Sequence, residues 1–304
     1  MTRPSYDLSG KVVLITGGHG GIGSAMAREL LARGARVIIA DVDPSTPQRA
    51  SALDADHALG CVADVRDRAS LEAGVAQTLD RFGRLDVAIA NAGLLARAAT
   101  LRNTPTVDVE TTLAVNVTGV ANTVAAALDP VIAARGQIVL ITSVFAFING
   151  MGTIPYAMSK AAVEQLGRGL RVELADHEVS VLTAYFSLVQ TDMIARGVDE
   201  DPMVLELLGT LPKAMLRRIT PAAAATAIAD GLETRSSRVI RPALWRPLSA
   251  LRGLIGPGLD ARFATDRRIL DVLARLDARG ASVPRQSAGQ PASPRTTTLT
   301  KEDS

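Results

Sequence analysis

Short apolar runs alternate along the chain with longer stretches whose apolar positions recur every three or four residues. The runs at 11–16, 35–41, 59–64, 85–91, 137–143 and 179–186 are apolar almost throughout instead of alternating with polar residues. Strands covered by helices on both faces have that character. Helical periodicity marks 22–33, 68–82, 107–128 and 154–175, and a last short strand is predicted at 238–241. The repeated strand–helix order predicts an α/β fold with a doubly wound, mostly parallel sheet flanked by helices.

Three segments fall outside this rhythm. Residues 188–219 contain Pro202 and Pro212 and read as a lid-like insertion with one or two helices. The insertion belongs to a main α/β domain spanning 1–242. Residues 243–280 form a helical C-terminal extension, in which Trp245, Leu248, Leu251, Leu254 and Ile255 mix with Arg246 and Arg252. Apolar residues interspersed with arginine suit an interfacial helix. The extension therefore leaves open a cover over a pocket, an oligomer contact, a peripheral membrane contact or plain packing on the domain. From 281 to 304 Pro, Ser, Thr and Gln dominate, the composition of a disordered tail.

Composition narrows the function classes. A chain of 304 residues with 47% hydrophobic content can bury a full core. A net charge of +2 with both signs mixed, and only 3% aromatic residues, gives no footprint for nucleic acid. The single cysteine, Cys61, excludes an internal disulfide and sits in an apolar run as a structural thiol. His19, His57 and His177 lack metal-ligand spacing, so no metal is expected. No signal peptide and no apolar run of membrane-spanning length is seen, and a soluble cytoplasmic protein is the expectation.

After the first strand comes TGGHGGIG, Thr16 to Gly23. Gly17 suits the tight turn out of the strand, Gly21 a close approach to a pyrophosphate, and Gly23 close packing of helix on sheet. The helix that follows offers free N–H groups and a positive dipole end to phosphates. Asp41 ends the second strand, where a carboxylate accepts both ribose hydroxyls and repels a 2′-phosphate, and no arginine directly follows it. These residues favour NAD over NADP.

Tyr156 and Lys160 stand one helical turn apart in YAMSK, in a chain with only three tyrosines. A phenol near pKa 10 is a poor base, and a nearby cation makes it usable. Together with the glycine turn, further motifs resemble those of the short-chain dehydrogenase/reductase family over roughly residues 8 to 240. TGGHGGIG is similar to its TGxxxGxG, ANAG at 90–93 to its NNAG, and YAMSK to its YxxSK; Asn116 in AVNVTG and Ser143, 13 residues before Tyr156, match as well. The resemblance implies a Rossmann fold and a catalytic set of Asn116, Ser143, Tyr156 and Lys160. It implies cofactor contacts from Gly17, His19, Gly21, Ile22, Gly23, Asp41, Asp64, Val65, Asn91, Ala92, Gly93, Tyr156, Lys160, Val189 and Thr191. It further implies a homodimer or homotetramer. Phe186-Ser187 stands where the family usually has Pro-Gly.

The resulting expectation is an NAD(H)-dependent oxidoreductase that moves a hydride between nicotinamide and a secondary alcohol or ketone. By the resemblance, Tyr156 exchanges the proton, Lys160 holds the nicotinamide ribose, Ser143 holds the substrate oxygen, and Asn116 positions a water behind Lys160. Phe145, Phe147, Ile148, Met151, Met193 and Ile194 are expected around the substrate, and no Arg or Lys lies between Val144 and Ser159. That favours a lipophilic substrate, although the same residues suit a core equally well. Two other readings stay open: a non-catalytic NAD-binding regulator, and an epimerase or dehydratase acting on a nucleotide-sugar.

Overall fold

The computed structural model describes residues 6–280, so the predicted disordered tail at 281–304 lies outside the described residues. Seven parallel strands form one sheet: β1 (Val12–Thr16), β2 (Arg36–Asp41), β3 (Ala58–Val62), β4 (Val87–Ala90), β5 (Gln137–Ser143), β6 (Ser180–Phe186) and β7 (Arg238–Arg241). Their spatial order is β3-β2-β1-β4-β5-β6-β7. The order reverses between β1 and β4, and ligands of such sheets bind beyond the carboxyl ends at that point.

Period-two geometry divides each strand between two cores. Val13, Ile15, Val37, Ile39, Ile89 and Val139 face α1 (Gly21–Ala32), α2 (Thr46–Leu53) and, later in the chain, the helix Pro221–Glu233. Val12, Leu14, Ile38, Ala88, Ile138 and Leu140 face α3 (Arg68–Phe82) and the helices that follow β4 and β5. Burying each such valine, leucine or isoleucine contributes about 1.5–3 kcal/mol, so a sheet apolar on both faces needs both helical layers.

The predicted helix at 107–128 is in fact three pieces: α4 (Thr106–Leu113), a π-helical turn (Ala114–Thr118) and α5 (Gly119–Ala133). This combined stretch is long and apolar enough to cross a membrane by length and composition, contrary to the sequence expectation. Its Val120, Val124, Ala127 and Val131 instead pack on the sheet, which accounts for the apolarity. The helix α6 (Ile154–Glu173) carries the YAMSK motif.

The segment after β6 contains α7 (Asp192–Ile194), a π-helical turn (Ala195–Asp199), α8 (Pro202–Gly209) and a 3-10 turn (Lys213–Leu216). A bridge between Val189 and Ile219 closes its base. Pro221–Glu233 is α9, and the extension folds into α10 (Trp245–Phe263) and α11 (Arg267–Ala278). Trp245 is buried with Val144, Tyr185 and Ile240, and Phe147, Ile148, Met215 and Leu248 pack around them. Phe147 and Ile148 therefore pack in a small core under the extension, the alternative that the sequence left open beside a substrate pocket. Phe147 meets the rings of Tyr185 at 5.8 Å and Trp245 at 6.4 Å, and this core needs a tryptophan from a distant segment that no local pattern announces.

Candidate active site

The glycine turn leaves β1 with Gly17 at φ +64°, a left-handed conformation that glycine adopts without strain. A Cβ on Gly17 would stand 2.7 Å from the Cα of Ala92, and one on Gly21 would stand 2.6 Å from Cγ2 of Thr191. The turn is thus pressed between the loop after β4 and the start of the segment after β6. Asn91 fastens it: its Nδ2 donates to the carbonyls of Thr16 (2.9 Å) and Gly17 (3.0 Å). Thr16 answers through Oγ1, which accepts from the backbone N–H groups of Asn91 and Ala92 at 3.2 and 3.3 Å. Among the described residues no side chain caps the N-terminus of α1. The first-turn N–H groups there remain available to an anion. Gly17, Gly21, Gly23, Asn91, Ala92 and Thr191 lie together, and Ile22 stands on the first turn of α1.

Asp41 is the last residue of β2, and its Oδ2 accepts from the His19 N–H at 3.0 Å. The His19 ring turns toward Arg49, whose Nη1 is 3.0 Å from Nδ1. Asp43 lies 3.5 Å from each of these two side chains. Arg49, on α2, puts a positive charge beside the turn that sequence reading overlooked, because it comes eight positions after Asp41. Asp64 lies beyond the end of β3, not within it, and Arg66 grips its carboxylate through Nε at 3.0 Å and Nη2 at 2.5 Å. Hydrogen bonding from Arg66 holds that carboxyl below its ordinary range. Val65 packs instead on α5, where a Cβ on Gly119 would come within 2.5 Å of it.

The catalytic candidates converge at the carboxyl ends of β4 and β5. A Cβ on Gly93 would stand 3.3 Å from Asn116 Oδ1 and 3.6 Å from Lys160 Nζ. Asn116 is inaccessible within the π-helical turn. Its Oδ1 accepts from Leu94 N–H at 2.8 Å, and its Nδ2 donates to Leu94 carbonyl at 2.9 Å and Ser159 Oγ at 3.1 Å. Ser159 in turn donates to the Tyr156 carbonyl at 2.7 Å. Sequence reading missed this serine as a link, although it sits inside YAMSK.

Lys160 is nearly inaccessible and donates to the Ile141 carbonyl at 3.2 Å. Its Nζ lies 5.5 Å from the centre of the Tyr156 ring. Burial pulls its amine down to about 8. Burial also pushes the Tyr156 phenol up to about 12, against an opposing hydrogen bond with Ser143. In the protein alone desolvation dominates both groups, and at Tyr156 only the Ser143 hydrogen bond opposes it. Ser143 Oγ accepts from Phe145 N–H at 3.3 Å and donates to the Phe186 carbonyl at 3.1 Å. Phe145 stands edge-on to Tyr156 with ring centres 5.8 Å apart. Val189 is buried at the base of the lid segment, and Thr191 caps α7, accepting from Ile194 N–H at 3.5 Å. Cys61 is buried away from these groups, with its thiol pushed up to about 11 by burial.

A parallel sheet with a glycine cradle at its switch point, and with Ser143, Tyr156 and Lys160 gathered beside it, defines a nucleotide-dependent oxidoreductase of the Rossmann class. The family model described as short chain dehydrogenase matches residues 11–201, and the chain belongs to that family. Oxidoreductase UcpA of Escherichia coli (strain K12) is 34% identical over 215 residues, covering 67% of this chain and 81% of the relative. A 2-(R)-hydroxypropyl-CoM dehydrogenase of Xanthobacter autotrophicus is 30% identical over 210 residues, with 67% and 84% covered. A short chain dehydrogenase/reductase from Burkholderia phymatum, solved in complex with NAD, superimposes with a TM-score of 0.72. It is 24% identical, with 84% of this chain and 96% of that one covered.

Proposed function

We propose that the protein is an NAD(H)-dependent dehydrogenase or reductase of a lipophilic secondary alcohol or ketone. The observation that carries this is the convergence of Asn116, Ser143, Tyr156 and Lys160 beside the glycine cradle. The cradle fits a dinucleotide: the lack of side chains at Gly17 and Gly21 lets the turn lie close against Ala92 and Thr191, and the uncapped start of α1 would meet the pyrophosphate. Asp41, Ala92 and Gly93 would hold the adenosine half, where Val65, its side chain packed on α5, would offer only main-chain atoms, while Lys160, Val189 and Thr191 would hold the nicotinamide half. Asp64 contributes there only after exchanging its grip on Arg66. NAD is favoured over NADP because Asp41, at the end of β2 beside the turn, would repel a 2′-phosphate, and Arg49 is already engaged with Asp43.

The nicotinamide, when bound, supplies the hydride acceptor or donor and, oxidised, a positive charge. Ser143 orients the substrate oxygen. Tyr156, protonated in the protein alone, is set to donate a proton to a ketone oxygen. Taking a proton from an alcohol requires the phenol to be lowered first, and Lys160 together with added positive charge does so. Asn116 steadies the backbone behind Lys160. The lipophilic preference rests on Phe145 against Tyr156 and on Met151, Met193 and Ile194 near the lid. Exposed Met158 and Val172 on α6 suit a homodimer or homotetramer.

The test follows NADH formation over alcohols ranging from small polar ones to sterols and long-chain terpenols, with NAD and NADP side by side. Turnover of the lipophilic members with NAD is expected. Saturable NAD binding without turnover on any member would favour the regulator reading instead.

A further inference from the structure

The last turn of α11 and the residue that caps it reach two segments at once. Asp277 accepts from Thr100 Oγ1 at 2.6 Å, from Arg102 Nη1 at 3.0 Å and from Asn103 Nδ2 at 3.0 Å. Arg279 donates through Nη1 to Asp201 at 2.6 Å and through Nη2 to the Ala98 carbonyl. The Arg279–Asp201 pair is largely buried, with side chains 14% and 10% exposed. Asp201 is also the N-cap of α8, where it accepts from Met203 N–H at 3.1 Å. One helical turn thus ties the loop after β4 to the start of the lid helix.

The apolar side of α11 completes the junction. Ile269, Val272 and Leu276 follow a helical spacing and are inaccessible. Leu276 Cδ1 and Leu207 Cδ2, from α11 and α8, approach the Cβ position of Gly152 at 3.6 and 3.4 Å. Gly152 lies four residues before Tyr156, and its carbonyl accepts from Ala99 N–H at 3.0 Å. Loop, lid and extension therefore meet at the approach to the proposed acid/base.

We propose that the α11 turn bearing Asp277 and Arg279 is a clasp. It holds the lid, residues 192–216, against the loop at 98–103 and makes Leu276 and Leu207 part of the outer wall of the substrate cleft. Asp277 and Arg279 are positioning residues that set substrate affinity; that role rests on the dehydrogenase reading, whereas the clasp itself does not. An amphipathic helix with its apolar stripe covered and a paired charge at its end gives such a closure both area and register.

The test is hydrogen exchange by mass spectrometry on the full chain, comparing wild type, Asp277→Ala, Arg279→Ala and the exposed control Arg262→Ala. Exchange at 192–216 and 98–104 is expected to speed up at least tenfold in the first two variants only, with β1, β4 and β5 unchanged. Unchanged lid exchange in folded variants would overturn the clasp. So would equal acceleration across the sheet, both in these variants and in the milder Asp277→Asn, since it would mark a general contribution to stability. On turnover, the KM for a lipophilic alcohol should rise tenfold or more while the KM for NAD holds. Absence of turnover in the wild type would count against the dehydrogenase reading, and the exchange difference would still decide the clasp.

Discussion

Arg252, on α10, reaches Glu164 at 2.6 Å, and Glu164 stands one turn beyond Lys160 on the helix that carries the proposed acid/base. The carboxylate is 8% exposed and the guanidinium 33%. Hydrogen bonding to Glu164 raises the Arg252 pKa further. The extension is therefore bonded to the catalytic helix through a mostly buried charge pair, with Tyr185 alongside, its phenol pushed up to about 12 chiefly by burial.

Removing one partner strands the other. Arg252→Ala should destabilise the protein by about 2–3 kcal/mol, below the full cost of breaking a buried pair because the guanidinium is partly wet. Adding Glu164→Met to that variant should recover part of the loss. Urea unfolding of the single and double variants measures both; equal stability of wild type and Arg252→Ala would show that the contact contributes nothing.

Tyr156 predicts opposite pH responses for the two reaction directions. With the phenol near 12, its protonated form prevails at neutral pH and suits ketone reduction. Oxidation needs the deprotonated form, so its kcat/KM should climb as pH rises from 6 to 10 while reduction does not. Initial rates in both directions across that range check this, and a flat oxidation profile would exclude Tyr156 as the titrating base.

Lys160 predicts a stability change in a separate window. Its folded pKa of about 8 lies below the ordinary value of 10.5. Folding is penalised while the amine is charged, so its contribution is most favourable above 10.5 and is lost as pH falls toward 8. The buried tyrosines act in the opposite sense, costing stability only as pH rises beyond 10. Lys160→Met should thus be more stable than wild type at pH 7, with the gap narrowing between pH 8 and 10; melting curves at each pH would show it.

Asp41 sets the cofactor preference. Asp41→Ser removes the charge that opposes a 2′-phosphate and leaves Arg49 and His19 beside the turn. The NAD-over-NADP ratio of kcat/KM should fall by about tenfold or more, the size expected for removing a specific charge contact. An unchanged ratio would show that Asp41 does not face the ribose.

Much of this arrangement was legible from the chain. Continuous apolar runs placed β5 residue for residue and found β1, β2, β3, β4 and β6 within two residues, because strands buried on both faces leave an unbroken signal, whereas β7, bounded by arginines, was expected only as the last strand of the series. The glycine turn and YAMSK stood out because their residue types follow from backbone geometry and proton chemistry. Helix α2 was missed because it is short and lacks a strong apolar stripe. The break at 114–118 was also hidden: Asn116 sits in that π-helical turn bonded to the Leu94 backbone, a tertiary relation that periodicity does not carry. Phe147 and Ile148 suited a pocket and a core equally in the sequence, because their partner Trp245 is nearly a hundred positions away. The raised phenol of Tyr156 was hidden for a similar reason, since spacing shows a neighbouring lysine and says nothing about desolvation.

The central claim is that Tyr156 transfers the proton in a dinucleotide-dependent hydride exchange. The most direct measurement is a parallel titration of NADH binding, by fluorescence, and of turnover on an accepted alcohol, in wild type and Tyr156→Phe. Binding should stay within about threefold, while turnover should fall by about 10²–10⁴-fold, the range for losing a general acid/base. Retained turnover in Tyr156→Phe, with the same affinity for NADH, would contradict the account.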